Sequence, residues 1–66
     1  MRADPFPGMG RAALAARIAD ARLSDVDTVI ARRALLDQAD FIEIGVEVGY
    51  SRSTVSRRYQ KIIKML

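Results

Sequence analysis

Three residues, Gly49-Tyr50-Ser51, separate two stretches that each carry a helical pattern, and this connection restricts the chain more than any other feature. So short a link leaves no slack, and the second helix must pack directly against the first. Gly49 is the residue type that most cheaply ends a helix in the left-handed conformation. Ser51 is a preferred N-cap, and no breaker follows it before Leu66. Upstream, Asp40-Phe41-Ile42-Glu43 gives a second entry signal with Asp40 as its cap. The short helix it opens reaches about Val48, with Phe41, Ile44, Gly45 and Val48 on the inward face. A glycine inside a helix costs roughly 1 kcal/mol relative to alanine. On a packed face, Gly45 therefore implies that another backbone passes close by, as where two helices cross steeply.

The remainder of the chain supplies what those two helices pack on. With 66 residues there is one small domain, able to bury only roughly 60% of the surface its unfolded form exposes. Residues 1–10 contain Pro5, Pro7, Gly8 and Gly10, which predicts a flexible N-terminal arm rather than a helix. Arg2 and Arg11 leave a minor-groove or phosphate contact open to that arm. From Arg11 to Arg22 an alanine-rich helix is expected, with Leu14, Ile18 and Ala21 inward and Arg17, Asp20 and Arg22 in water. Its apolar stripe is thin, so it needs a partner, either the rest of the domain or a second copy of the chain, and Leu14, Ile18 and Leu23 are the candidate interface of a homodimer. Ser24 caps the next helix, with Asp25 and Asp27 favourably placed in its first turn. Val26, Ile30, Ala34 and Leu35 carry that helix to about Asp37 or Gln38, where no glycine stop is present. The expected fold class is all-α: a small three- to four-helix domain over residues 11–66, with a helix-turn-helix at 40–66.

Composition removes several function classes. There is no cysteine and no histidine, so no disulfide framework exists and a zinc site would have only carboxylates to use. Half of the residues are hydrophobic and 29% are charged, which belongs to a globular chain rather than a disordered one. No apolar run approaches the roughly 18–20 residues of a membrane span. Arg2 is followed by no apolar core of a signal peptide, and the expected compartment is the cytoplasm, of a bacterium or one of its viruses. Nothing points to an enzyme or a cofactor. Ser51, Ser53 and Ser56 have no base to activate them, and acids sit at caps rather than in catalytic pairs.

The net charge of +3 is modest, but its distribution is not. Residues 49–66 hold Arg52, Arg57, Arg58, Lys61 and Lys64 and no acid, a charge of +5. Residues 24–48 hold two arginines against six acids, or −4, and residues 1–23 hold four arginines against two aspartates, or +2. The basic element is thus the helix after the turn. On a wheel at about 100° per residue, Val55, Tyr59, Ile62, Ile63 and Leu66 gather within roughly 60° of one centre. Opposite them lie Ser53, Arg57, Gln60, Lys61 and Lys64, with Thr54, Ser56 and Arg58 on the flanks. Lys61 and Lys64 near a helix C-terminus are explained by the dipole alone. Arg52, Arg57 and Arg58 are not, because they lie in the half where the dipole disfavours positive charge. An external polyanion explains them. Arg52, Ser53, Thr54, Ser56, Arg57, Arg58, Gln60 and Lys61 form the candidate DNA-binding set, a mixture of phosphate-binding and base-reading side chains.

The run from Phe41 to Arg58, with Gly49-Tyr50-Ser51-Arg52-Ser53-Thr54-Val55 as its core and Leu23-Ser24-Asp25-Val26-Asp27 leading in, resembles region 4 of bacterial sigma factors. It is similar also to the small sigma-like helix-turn-helix regulators of phages and mobile elements. The resemblance spans roughly residues 23–66, and Gly45 stands where that family usually carries alanine. It implies that the helix after the turn enters the major groove, with Ser51 capping it and Val55 anchoring it. Arg52, Ser53, Thr54, Ser56 and Arg57 would then approach DNA. With no other sigma region in the sequence, the implied function is a compact transcriptional repressor or activator. The alternative is a protein-interaction module that binds RNA polymerase or another partner through the acidic middle helices.

Overall fold

The computed structural model describes residues 4–66, and Arg2 lies outside them. The architecture is all-α. In chain order it comprises α1 (Arg11–Asp20), α2 (Asp25–Ala31) continued by a π-helical turn (Arg32–Leu36), α3 (Phe41–Val48) and α4 (Arg52–Met65). No peptide bond among the described residues is cis. No helix among the described residues is long and apolar enough to cross a membrane.

Each of the last three α-helices starts at a side-chain cap. Ser24 Oγ accepts from the Asp27 amide at 3.2 Å, Asp40 Oδ1 from the Glu43 amide at 2.9 Å, and Ser51 Oγ from the Thr54 amide at 3.2 Å. Each bond satisfies one of the amides that a helix start leaves without a partner. α1 begins at Gly10 without such a cap and stops at Asp20, two residues short of the expected end, with Arg22 in a left-handed conformation (φ 53°).

The soft boundary after α2 has a specific form. The helix widens so that the Asp37 amide donates to the Arg32 carbonyl at 3.2 Å, and Ala39 donates to the Arg33 carbonyl at 2.9 Å. Gln38 takes the left-handed conformation (φ 55°) that a glycine would adopt more cheaply. The compensation is packing: Ala34 and Ala39, on either side of this turn, are both buried.

One core binds the helices together. Ile18 of α1, Ile30 and Ala31 of α2, Ile44 of α3, and Val55 and Ile62 of α4 join Ala34 and Ala39 in a single cluster. Each fully buried isoleucine contributes about 1.5–3 kcal/mol relative to an exposed one. Around the cluster, Phe41 and Tyr59 stack with ring centroids 5.1 Å apart and tilted by 56°. This contact ties the start of α3 to the middle of α4.

The core also corrects one expectation. Leu14 and Ile18, assigned above to a dimer interface on α1, are 7% and 2% exposed, and Leu23 packs against the core cluster. The thin stripe of α1 meets its need for a partner within the chain, since α1 packs on α2 and on the π-helical turn.

The N-terminal segment forms a turn over residues 4–10. The Phe6 amide donates to Asp4 Oδ1 at 2.9 Å, the Met9 amide donates to the Phe6 carbonyl at 3.2 Å, and Gly8 is left-handed at φ 83°. Arg17 of α1 lies over the Phe6 ring, 5.8 Å from its centroid.

Candidate nucleic-acid interface

The link between α3 and α4 holds α4 through backbone contacts as well as side chains. Gly49 is left-handed at φ 80°, and the Gly45 carbonyl accepts from both the Gly49 amide (2.8 Å) and the Tyr50 amide (2.9 Å). A Cβ at position 45 would collide with the Tyr50 carbonyl oxygen, and the Ser51 carbonyl carbon lies 3.6 Å away. A backbone does pass close to Gly45, but it belongs to the turn rather than to a crossing helix. The missing side chain lets the turn fold flat against α3.

From that anchor α4 runs 14 residues, about 21 Å at 1.5 Å per residue. Val55 and Ile62 are buried, Tyr59 and Ile63 are half-buried, and Arg52, Ser53, Arg57, Gln60, Lys61 and Lys64 are exposed. Thr54, Ser56 and Arg58 lie between the two faces. The outward strip at 53, 57, 60, 61 and 64 follows helical spacing, so it forms one continuous face. A shallow open depression of about 580 Å³ is lined by Thr54, Ser56, Arg57, Arg58, Gln60 and Lys61. A larger cleft of about 710 Å³ lies elsewhere, between the N-terminal turn, α1, the π-helical turn and Tyr59. Volume does not decide between them: the larger cleft has a mixed rim with both charge signs, whereas a groove-binding helix needs a convex face of one sign.

The eight predicted site residues divide by what holds them. Thr54 is tied into the cap, with the Ser51 and Thr54 hydroxyls 3.0 Å apart and Arg57 Nη2 donating to Thr54 Oγ1 at 3.5 Å. The long bond from Arg57 restrains the guanidinium only weakly and leaves it on the exposed face. Arg58 departs from the expectation most. Its Nε donates to Asp27 Oδ1 at 2.8 Å, and its guanidinium lies 5.4 Å from the centroid of Tyr50. This side chain clamps α4 to the first turn of α2 and to the link, so it supports the face while it also lines the depression. The wheel carries a signal for this, because Arg58 lies on the flank nearer the apolar centre than Arg57 does. Among the described residues, Arg52, Arg57, Lys61 and Lys64 form no salt bridge.

A second charged cluster lies away from α4. Arg33 donates to Asp37 Oδ2 at 3.0 Å and to Glu47 Oε1 at 2.9 Å, while Arg11 reaches the Leu36 carbonyl at 2.7 Å and Asp37 Oδ1 at 3.3 Å. The hydrogen bond from Arg33, and then that from Arg11, holds the Asp37 carboxyl below its ordinary range. Hydrogen bonds to Asp37 and then Glu47 raise Arg33 in turn. The Arg33–Asp37 pair has ordinary i,i+4 spacing, whereas the bonds to Arg11 and Glu47 join distant parts of the chain and have no sequence signal. Three of the six acids in residues 24–48 (Asp27, Asp37 and Glu47) are thereby neutralised within the molecule. The other three, Asp25, Asp40 and Glu43, are exposed and form no salt bridge among the described residues. The positive face of α4 is open.

Comparison of the chain with protein-family models, with curated proteins and with solved structures gives no match.

Proposed function

We propose that this protein is a sequence-specific DNA-binding regulator of transcription that lays α4 in the major groove, with the link at Gly49-Tyr50-Ser51 setting its angle. One observation carries the proposal: α4 is held by its apolar side, while Arg57, Lys61 and Lys64 project from the other side, Arg52 is exposed at its first turn, and no acid is paired to any of the four. A helix that kept such a face for solubility would place the bases in its last turns. Arg52 instead lies at the first position, against the dipole, and Arg57 lies mid-helix, where the dipole does nothing to favour it. Ser53, Arg57 and Gln60 supply donors and acceptors for base edges, and Arg57 fits the two acceptors of guanine. Lys61, Lys64 and Arg52 suit phosphates, whose contacts position the helix without reading sequence. The sigma-like resemblance of residues 23–66 likewise implies that Arg52, Ser53 and Arg57 approach DNA.

The test is selection of bound duplexes from a random pool, followed by affinity measurements on the winner over a range of salt. Four unpaired cations give a log-log salt slope of about −3.5 per chain. Arg57→Ala should lower affinity for the selected duplex by about ten- to a hundredfold and relax preference at one base position, with an unchanged melting temperature. If that variant keeps both affinity and preference, the assignment of α4 to base reading fails.

A further inference from the structure

Three large apolar side chains among the described residues are more than half exposed: Ile42 (61%), Val46 (83%) and Met65 (59%). Scattered exposed aliphatics carry no message. These are not scattered. Ile42 and Val46 are four residues apart on α3 and lie within about 40° of each other around the helix. Glu43 borders them on the same outer arc and forms no salt bridge among the described residues. Met65 lies on the last turn of α4 within about 100° of Lys61 and Lys64, which are exposed and also without a salt bridge. One patch is apolar with an unpaired acid, and the other is apolar with unpaired bases. Each lacks what the other carries.

We propose that the outer face of α3, formed by Ile42, Glu43 and Val46, docks on the last turn of α4 of a second copy of the chain, with Glu43 opposite Lys64 and the aliphatic pair against Met65. Used once, such a heterologous contact would build an open chain, whereas used twice about a two-fold axis it closes into a dimer. Reciprocal use also addresses area. A standard interface buries roughly 800 Å² per partner, under a fifth of the 4488 Å² surface of this small protein, and reciprocal use engages both patches of each copy. The contact involves the last turn of α4 and leaves Arg52, Ser53 and Arg57 uncovered. Its test is read without nucleic acid, and because the dimer pairs Lys64 with Glu43, the salt slope of the dimer falls to about −2.7 per chain. It also replaces the α1 interface that the buried Leu14 and Ile18 exclude.

The absence of cysteine from the sequence makes the test direct. Sedimentation equilibrium of the full chain should show a reversible shift from 7.3 kDa to twice that mass as concentration rises. Val46→Glu should raise the dimer dissociation constant about tenfold or more while leaving the helical circular dichroism intact. Glu43→Lys should weaken the dimer, and Glu43→Lys with Lys64→Glu in the same chain should restore it. Val46→Cys and Met65→Cys proteins, mixed and oxidised, should give the mixed disulfide in excess over either symmetric one. A chain that stays at 7.3 kDa at every concentration, its α3 face left to solvent or to another protein, overturns the proposal. So does a dimer that cross-links mainly through Val46→Cys to itself, or one that ignores both charge reversals.

Discussion

Replacing Arg58 by alanine separates support of the α4 face from contact with DNA. Its Nε–Oδ1 bond to Asp27 measures 2.8 Å between side chains that are 38% and 21% exposed. Exposed pairs contribute about 0.2–1 kcal/mol, and the partial burial of Asp27 favours the upper part of that range. The guanidinium over Tyr50 adds about 0.5–1 kcal/mol. Together the loss is about 1–2 kcal/mol. A domain of this length moves its melting temperature by about 4–8 °C for each kcal/mol, so Arg58→Ala should melt roughly 5–15 °C lower. Asp27→Ala removes the same bond and also an acid from the first turn of α2. The double variant should therefore fall short of the sum of the singles by about 1 kcal/mol. Thermal melts followed by far-ultraviolet circular dichroism measure all four proteins. If α4 binds DNA as proposed, duplex titrations at several salt concentrations on Arg58→Ala should retain the parent slope, because Asp27 already pairs with this guanidinium. An unchanged melting temperature together with a slope smaller by about one would refute this reasoning and return Arg58 to the binding face.

Other substitutions probe the frame around α4. Gly45→Ala gains about 1 kcal/mol of helix propensity but places a Cβ against the Tyr50 carbonyl, where the forced shift costs about 1–3 kcal/mol; a net loss of about 1 kcal/mol is expected in a urea titration. Val46→Ala, on the exposed side of the same helix, should gain a few tenths when both are measured on dilute monomer, so gains in both variants would show that the turn yields freely. Ser51→Ala should cost about 1 kcal/mol by orphaning the Thr54 amide, and Ser51→Asn, which keeps an acceptor, only a few tenths; equal losses would mean that the cap bond is not the cause. Asp37 has its folded pKa depressed by Arg33 and Arg11, so its contribution is present above the unfolded carboxylate pKa and is lost as pH falls through the folded value. Melting temperature against pH should therefore decline less on the acid side in Asp37→Asn, and an identical acid limb would remove Asp37 from that role.

The helices and their starts are legible in the residues because the forces that set them are local. Ser24, Asp40 and Ser51 cap amides three residues away, and Gly49 closes a helix by its own backbone freedom. The periodicity of Val55, Tyr59 and Ile62 points one side of α4 at a core whichever partners fill it. By elimination it also points Ser53, Arg57, Gln60, Lys61 and Lys64 outward. Local chemistry is silent on what faces what. A left-handed glutamine could end the second helical segment only because Ala34 and Ala39 bury around it. The demand of α1 for a partner was visible in its thin stripe, yet whether the partner was the same chain depended on how α1 packs on α2. Arg57 and Arg58 are neighbours in sequence with the same charge, and only the packing of α4 on α2 put Asp27 beside one and not the other. Single-residue chemistry gave this protein its caps, its turn and its basic helix. The three-dimensional meeting of helices decided which charges were spent inside the molecule and which were left facing out, because an ion pair forms between atoms near in space and most of its partners are distant in the chain.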